Sequence, residues 1–461
     1  MKWVDLLLLF FAGLMGRFSL APVEIPILLI AFCCARLLIV ALGRDIPILE
    51  VTAIVYCLQL LIGPLCSYYS PPEFYRYRMV VSSEDYFRFA IPAVVAYLLP
   101  IVWVRHQLPM LTEVMSFTAG RRVFQAGVMI MLAGVVFTIL GRYAPPSLSF
   151  AFFLGGELKF VGALYCYFCR HHQRRWMLTG VLGVSIFFAL AQGMFHQLII
   201  WGAILVSLVL ARELKRRSLI LNTMLLTGGF CALVVLQSFK AEYRLKLEQE
   251  SGSGSGILVA LQHAAQSVTL TFDGVAEVMR VRLNQGWIVT SVMLHVPAEE
   301  PFANGETFRA AAIDSLVPRF LFPNKTTAGG REKFRRFTGL EISEKTSMGI
   351  GTIGEAYANF GVDGGIAAMM GYGAVFSGAY YLLATRGRGH VLFLLWLPVI
   401  FSQAIKSETE LAVVLNHLVK AGLFVSVAYG LSHQMLFGQL RAPIDVLPRA
   451  RSAGFRRSGV S

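Results

Sequence analysis

Lys240-Ala-Glu-Tyr-Arg-Leu-Lys-Leu-Glu-Gln-Glu-Ser-Gly-Ser-Gly-Ser-Gly256 breaks an otherwise apolar chain. Its first part is charged and its Ser-Gly part reads as a flexible linker. It opens a hydrophilic segment that lasts to Val362. On both sides lie apolar runs, each near the ~20 residues needed to cross a hydrocarbon core. Twelve such spans are predicted: 3–18, 22–42, 46–66, 88–104, 123–141, 147–169, 177–193, 195–211, 218–239, 363–384, 389–405 and 411–431. The fold class expected is therefore an all-α polytopic membrane protein with one large outer loop. Its parts are a transmembrane block over 1–239, the loop over 240–362, a second block over 363–431 and a basic tail over 432–461.

The composition agrees. Of 461 residues 56% are hydrophobic and only 15% charged, and the mean hydropathy is +0.63. A soluble globular domain does not have this balance. Ser19-Leu20-Ala21 resembles a small-residue cleavage site, but the first span is expected to be retained. The formal net charge is +14, and its placement matters more than its size. Arg105, Arg121, Arg122, Arg170, Arg174, Arg175, Arg212, Lys215, Arg216, Arg217, Arg386 and Arg388 all fall on one side if the spans hold. The positive-inside rule then puts both termini in the cytoplasm and 240–362 outside it. Nucleic-acid binding is not needed to explain this charge; contacts with membrane lipids suffice.

Seven cysteines lie within or at the ends of spans, so no disulfide framework is expected in the outer loop. No His, Cys and Asp cluster has metal-ligand spacing. The chemistry expected is metal-independent and without a cofactor. An outer-face enzyme cannot draw on cytoplasmic ATP or nucleotide sugars. It needs a substrate that arrives already energised, which points to a lipid-linked donor.

Within the loop, residues 257–283 read as an amphipathic surface helix. A second helix is expected to begin at Asn304 and end before Pro318. Arg319 to Lys345 reads as loop. The chemistry-bearing stretch is Val317-Pro-Arg-Phe-Leu-Phe-Pro-Asn-Lys325, followed by Gly349-Ile-Gly-Thr-Ile-Gly-Glu-Ala-Tyr-Ala-Asn-Phe-Gly361. Two prolines hold the backbone around Arg319 out of a helix. Arg319 offers a planar fork and Lys325 a point charge, both suited to phosphate oxygens. Arg331, Lys333, Arg335 and Arg336 each read better as solvated or lipid-facing; Arg335 and Arg336 are carried as substrate-binding candidates beside that reading.

Glu355 suits proton removal from an attacking hydroxyl, although capping the next span is an open alternative. Glu408 and Glu410 are rival bases. Gly349, Gly351 and Gly354 spell a dinucleotide fingerprint without its βαβ context, so close backbone approach is the better reading. Tyr68, Tyr69, Tyr75, Arg76 and Tyr77 fit either interfacial anchoring or a sugar-binding rim. Glu157 and Lys159 lie inside a span and each needs a partner or a watery cavity. Gln192 and His196 share a helix face; His196 is carried as a substrate-binding candidate. In the tenth span Ala367 and Gly371, Gly373 and Ser377, and Ala374 and Gly378 are spaced for close helix packing.

The two motif stretches, over about 45 residues, resemble the Wzy-type oligosaccharide repeat-unit polymerases. The resemblance implies a multi-helix membrane glycosyltransferase of GT-C-like architecture. It implies undecaprenyl-diphosphate-linked oligosaccharide as donor and acceptor. A chain-length regulator and a flippase would be the protein partners. It carries a phosphate-handling role onto Arg319 and Lys325, and it covers Glu355, Tyr357 and Asn359 without assigning their roles. An O-antigen ligase using the same donor, a flippase and a structural scaffold are the rival readings.

Overall fold

The structure is a computed structural model. It describes residues 2–42, 44–108, 120–145, 148–169, 171–192, 196–213, 224, 228, 259, 277, 280–281, 283–316, 330–342, 348–387 and 390–437. Among these every regular element is helical. In chain order they are α1 (Lys2–Phe18), α2 (Glu24–Ala41), α3 (Ile48–Tyr69), α4 (Ser83–Gln107), α5 (Arg121–Leu140), α6 (Ser149–Tyr167), α7 (Arg174–Gln192) and α8 (His196–Glu213). After these come α9 (Gly286–His295), α10 (Glu306–Leu316), α11 (Arg331–Thr338), α12 (Gly351–Arg386), α13 (Val391–Leu394), α14 (Leu397–Phe401) and α15 (Leu411–Phe437).

Seven of the described helices are long and apolar enough to cross a bilayer: α2, α3, α4, α5, α6, α12 and α15. The chain is a helical membrane protein. Twelve spans are not shown. The predicted run 218–239 lies almost wholly outside the described residues, as do most of 257–283, the Ser-Gly linker and the tail from 438. The eleventh run, 389–405, does not form a span. It breaks into α13 and α14 with turns between and after them. The cause is Pro398, near the start of α14, which has no N–H to give to the preceding turn and disfavours helix in the residue before it. Such a break is tolerated at membrane depth only when protein covers it. Here Leu394, Leu395, Trp396, Leu397 and Val399 are buried, and the Trp396 indole donates to the Tyr165 hydroxyl at 2.8 Å.

Three further boundaries differ from expectation. The tenth helix begins at Gly351 rather than 363, inside the expected loop. It bends at Gly361, whose φ of 66° and ψ of −155° suit glycine alone. The stretch 331–338, read as loop, is the helix α11. Asn304 does not cap a helix. It sits at φ 47° before Gly305, and α10 begins at Glu306.

The core runs through α3, α4 and α12. The Tyr97 ring is stacked between Tyr56 and Tyr372, at 4.2 and 5.2 Å between centroids. The Tyr56 hydroxyl reaches Thr352 Oγ1 at 2.9 Å. Close helix approach is built at Gly373, where an added Cβ would lie 2.3 Å from the Tyr97 carbonyl oxygen. Gly371 and Gly378 face open space. Of the small-residue pairs in this helix, Gly373 with buried Ser377 makes the close contact.

Polar contacts gather at two opposite ends of α4, which at 25 residues spans about 37 Å. At one end Arg105 pairs with Asp45 at 3.1 Å and with Glu50, and buried Asp5 pairs with Arg36 and His106. Tyr380 of α12 reaches the Ile46 carbonyl there. Arg121 starts α5 beside Cys169, and Arg386 closes α12. The other end holds the start of α4, residues 58–82, α9 to α11 and the starts of α12 and α15.

Gly373→Val should cost about 1–3 kcal/mol, the range for overpacking a close contact. Gly378→Val, in open space, should be silent. Thermal unfolding of the two purified variants in one detergent checks this; equal transitions would refute the packing argument.

Candidate functional site

The second motif stretch belongs to the end that contains α9 to α11. The first, Val317 to Lys325, lies outside the described residues, and Arg319 and Lys325 with it. The segment that carries them joins the last residue of α10 to the residue before α11. Those two short helices are tied together by Arg336, which pairs with Glu306 through two bonds of 3.0 and 3.1 Å and with Glu300 at 2.6 Å. The Arg336 bond holds the Glu306 carboxyl below its ordinary range, and the two carboxylates push the Arg336 guanidinium up. Arg336 is thus committed within the protein. Arg335 is mostly exposed, and its carboxylate contact, Glu341, lies at 3.4 Å.

The second stretch forms the first turns of α12. Gly351, at φ +70°, lets the chain enter the helix directly beneath the turn 407–410; a Cβ there would sit 2.7 Å from the Ser407 carbonyl oxygen. Two glycines of the fingerprint, Gly349 and Gly351, therefore admit backbone, and the approaching group is this turn; Gly354 meets only side chains at ordinary contact distance.

At this junction three side chains meet. Lys333 of α11 places its ammonium 2.5 Å from Glu355 Oε1 and 3.1 Å from Glu410 Oε2. Glu355 Oε2 accepts the Leu411 N–H at 2.9 Å, and Glu410 Oε1 accepts the Ile350 N–H at 3.3 Å. Each carboxylate thus satisfies a free N–H at the start of the other's neighbouring helix, where the helix dipole also favours negative charge. Both carboxylates are almost fully buried, at 0% and 2% exposure. Burial raises the Glu410 carboxyl above its ordinary value, and the nearby Glu355 adds to this. Burial pulls the Lys333 ammonium down, but the two carboxylates outweigh it and the net direction is up.

Expected roles change accordingly. Glu355 has both oxygens engaged inside the protein and holds Lys333 and the start of α15. Asn359 is fully buried. Its Oδ1 accepts the Gly305 N–H at 3.1 Å, and its amide donates to Thr307 Oγ1 and the Glu355 carbonyl at 2.8 and 2.7 Å. It fastens α10 to α12. The Tyr357 ring packs on Phe89 at 5.1 Å and on Phe302 at 6.2 Å, as core. His196 opens α8, and its side chain lies outside the described residues.

Lys333 was the residue missed. It looked like one cation among several, and only the fold brings Glu410 to it from 77 positions away. Glu408, beside this junction, is exposed, and the Gln285 amide contacts its Oε2 at 3.5 Å. Tyr69, Phe74 and Tyr75 form an exposed aromatic rim at the same end. Arg76 of that rim donates to the Glu341 carbonyl, and Tyr77 packs edge-on against Trp287 at 5.3 Å. Among the described residues no group of His, Cys, Asp or Glu could hold a metal ion. Compared with known protein families, curated proteins and solved structures, the chain has no match. Its function is argued from its own residues.

Lys333→Met leaves two buried carboxylates facing each other and should cost about 3–5 kcal/mol. Adding Glu410→Gln should recover a large part of that loss. A double-mutant cycle read by thermal unfolding checks it; strictly additive losses would show that the two side chains do not interact.

Proposed function

We propose that this chain is a membrane glycosyltransferase that polymerises lipid-diphosphate-linked oligosaccharide repeat units at the outer face of a bacterial inner membrane. The observation that carries the reading is a convergence. The turns of the second motif stretch and both helices that flank the first motif stretch meet at one end of an apolar helical bundle, around Lys333, Glu355 and Glu410. The described basic ends of the short loops, Arg105, Arg121 and Arg386, gather at the opposite end, which suits a cytoplasmic face there.

In this reading an acceptor sugar hydroxyl attacks the anomeric carbon of the donor glycan. The bond from that carbon to the diphosphate oxygen breaks as the new glycosidic bond forms. The departing lipid diphosphate gathers negative charge, which Arg319 and Lys325 stabilise. The hydroxyl proton passes to a carboxylate, for which exposed Glu408 is better placed than buried Glu355. Glu355 acts as a positioning residue. The aromatic rim supplies apolar faces for sugar rings, and the enzyme's main contribution is to hold donor and acceptor together.

Arg319→Ala should lower turnover by about two orders of magnitude, the scale for losing a preorganised charge donor. Arg319→Lys should recover part of it, because the fork is lost but the charge is kept. The assay uses purified protein and lipid-linked repeat units, with protein level measured beside it. Full polymer from a well-expressed Arg319→Ala protein removes the residue from the mechanism. A strain without the chain should accumulate single-unit product. Long chains left on the carrier lipid would indicate a ligase instead, and lipid-linked units trapped on the cytoplasmic side a flippase.

A further inference from the structure

The bundle holds a second polar feature, away from the Lys333 junction. A cavity of about 320 Å³ opens among α5, α6, α7 and α8, walled by Phe137, Phe152, Phe160 and Phe188. Two charges are buried in its lining. Glu157 has its oxygens taken by the Gln197 amide and the Trp201 indole N–H. Lys159 is 5% exposed. Its ammonium donates to the Gly156 carbonyl at 2.8 Å and to Thr138 Oγ1 at 3.3 Å, and it lies over the Phe160 ring. No carboxylate lies within ion-pair distance of it among the described residues. One of its three protons stays uncommitted.

Arg142 stands at the cavity mouth. It is exposed, and its guanidinium lies over the Phe188 ring, 5.0 Å from the centroid. Gly155 meets the Phe137 ring and Gly156 meets Thr138, so the Lys159 ammonium lies level with the last turn of α5. Thr138 and Arg142 are four residues apart, so the two cations differ in depth by about one helical turn, ~6 Å. The mouth lies at the same end as Glu355, because Phe150 and Phe153 of α6 pack against His417 near the start of α15.

Counting Arg142, Lys159 and Glu157, the cavity carries one net positive charge. A charge inside a membrane bundle is costly without a counter-charge, and such groups commonly mark a ligand site. Two of the three lining hydroxyls offer little to a neutral sugar: Thr138 donates to its own Gly134 carbonyl and Ser185 to its own Val181 carbonyl, while the third, Ser149, lies at the start of α6. The charged donors are Lys159 and Arg142, the walls are aromatic, and Met129, Val136 and Phe187 on the flanking helices are exposed apolar surface suited to acyl chains.

We infer that this cavity binds one anionic phospholipid of the surrounding bilayer. The phosphate sits between Arg142 and Lys159, and the acyl chains leave along the outer faces of α5 and α7. The site is separate from the junction at Lys333 and does not depend on the polymerase reading. The test uses the full chain in nanodiscs of mixed phosphatidylglycerol and phosphatidylcholine, followed by native mass spectrometry. One phosphatidylglycerol should be retained in preference to phosphatidylcholine. Arg142→Gln, at the exposed mouth, should weaken retention about tenfold, the scale for one charged hydrogen bond. Lys159→Met should weaken it at least as much where that variant folds, and Arg121→Gln, at the opposite end, should leave it unchanged. Equal retention of both lipids, or no effect of Arg142→Gln, overturns the inference. Displacement of the lipid by inorganic phosphate would show a site for the free anion. Selective replacement by a polyprenyl phosphate would show a donor site. Either of these results also overturns it.

Discussion

Lys333 between Glu355 and Glu410 is the contact on which the end of the bundle that holds α9 to α11 depends. The two carboxylates come from the starts of α12 and α15, and each accepts an N–H beside the other helix. Without the lysine the pair would be two like charges out of water, which is costly. With it, three separate pieces of chain are held to one point: a short amphipathic helix and the first turns of two apolar ones. The geometry explains why the glycines at 349 and 351 are needed, since the turn 407–410 passes too close for a side chain there. It also explains why Glu355 does not face water.

Around that point the segment from α9 to α11 is held both by apolar residues of the common core, Trp287, Val292, Phe334 and Phe337 among them, and by specific side-chain contacts. Asn359 fastens α10, Arg336 ties α10 to α11, and Trp287 receives the rim through Tyr77. The two helices that flank the segment bearing Arg319 and Lys325 in sequence are each anchored to the bundle. At the far end the arrangement is simpler. Arg105 pairs with two acids, Asp45 and Glu50, and Asp5 with two bases, Arg36 and His106.

The membrane character of the chain was legible because apolar runs of about twenty residues have few other outcomes in water or lipid. Seven helices bear it out. The count of twelve was not legible, and the run at 389–405 shows why: hydropathy does not register that Pro398 divides an apolar stretch. The start of α12 was misread for the opposite reason. Its first turns carry Glu355 and Asn359, which look like loop residues until their partners, Glu410's lysine and Thr307, are known. At the site, Arg319 and Lys325 were chosen from spacing, and nothing described bears on them. Glu355 was chosen as a base, whereas both of its oxygens are engaged inside the protein, and its partner on α11 was passed over. Pairings across dozens of residues leave no local mark, whereas a helix period or a proline does.

The bend at Gly361 has a consequence for the bilayer itself. From Val362 to Arg386 the helix is about 37 Å long, enough to cross with modest tilt, and the ten residues before the bend add about 15 Å. Asp363, just past the bend, is largely exposed and pairs with Arg17 at the end of α1 at 2.7 Å. In a bilayer thicker or thinner than the long arm, that arm would tilt, and the bend at Gly361 is the point where its tilt would meet the short arm, which Glu355 holds to the Lys333 junction.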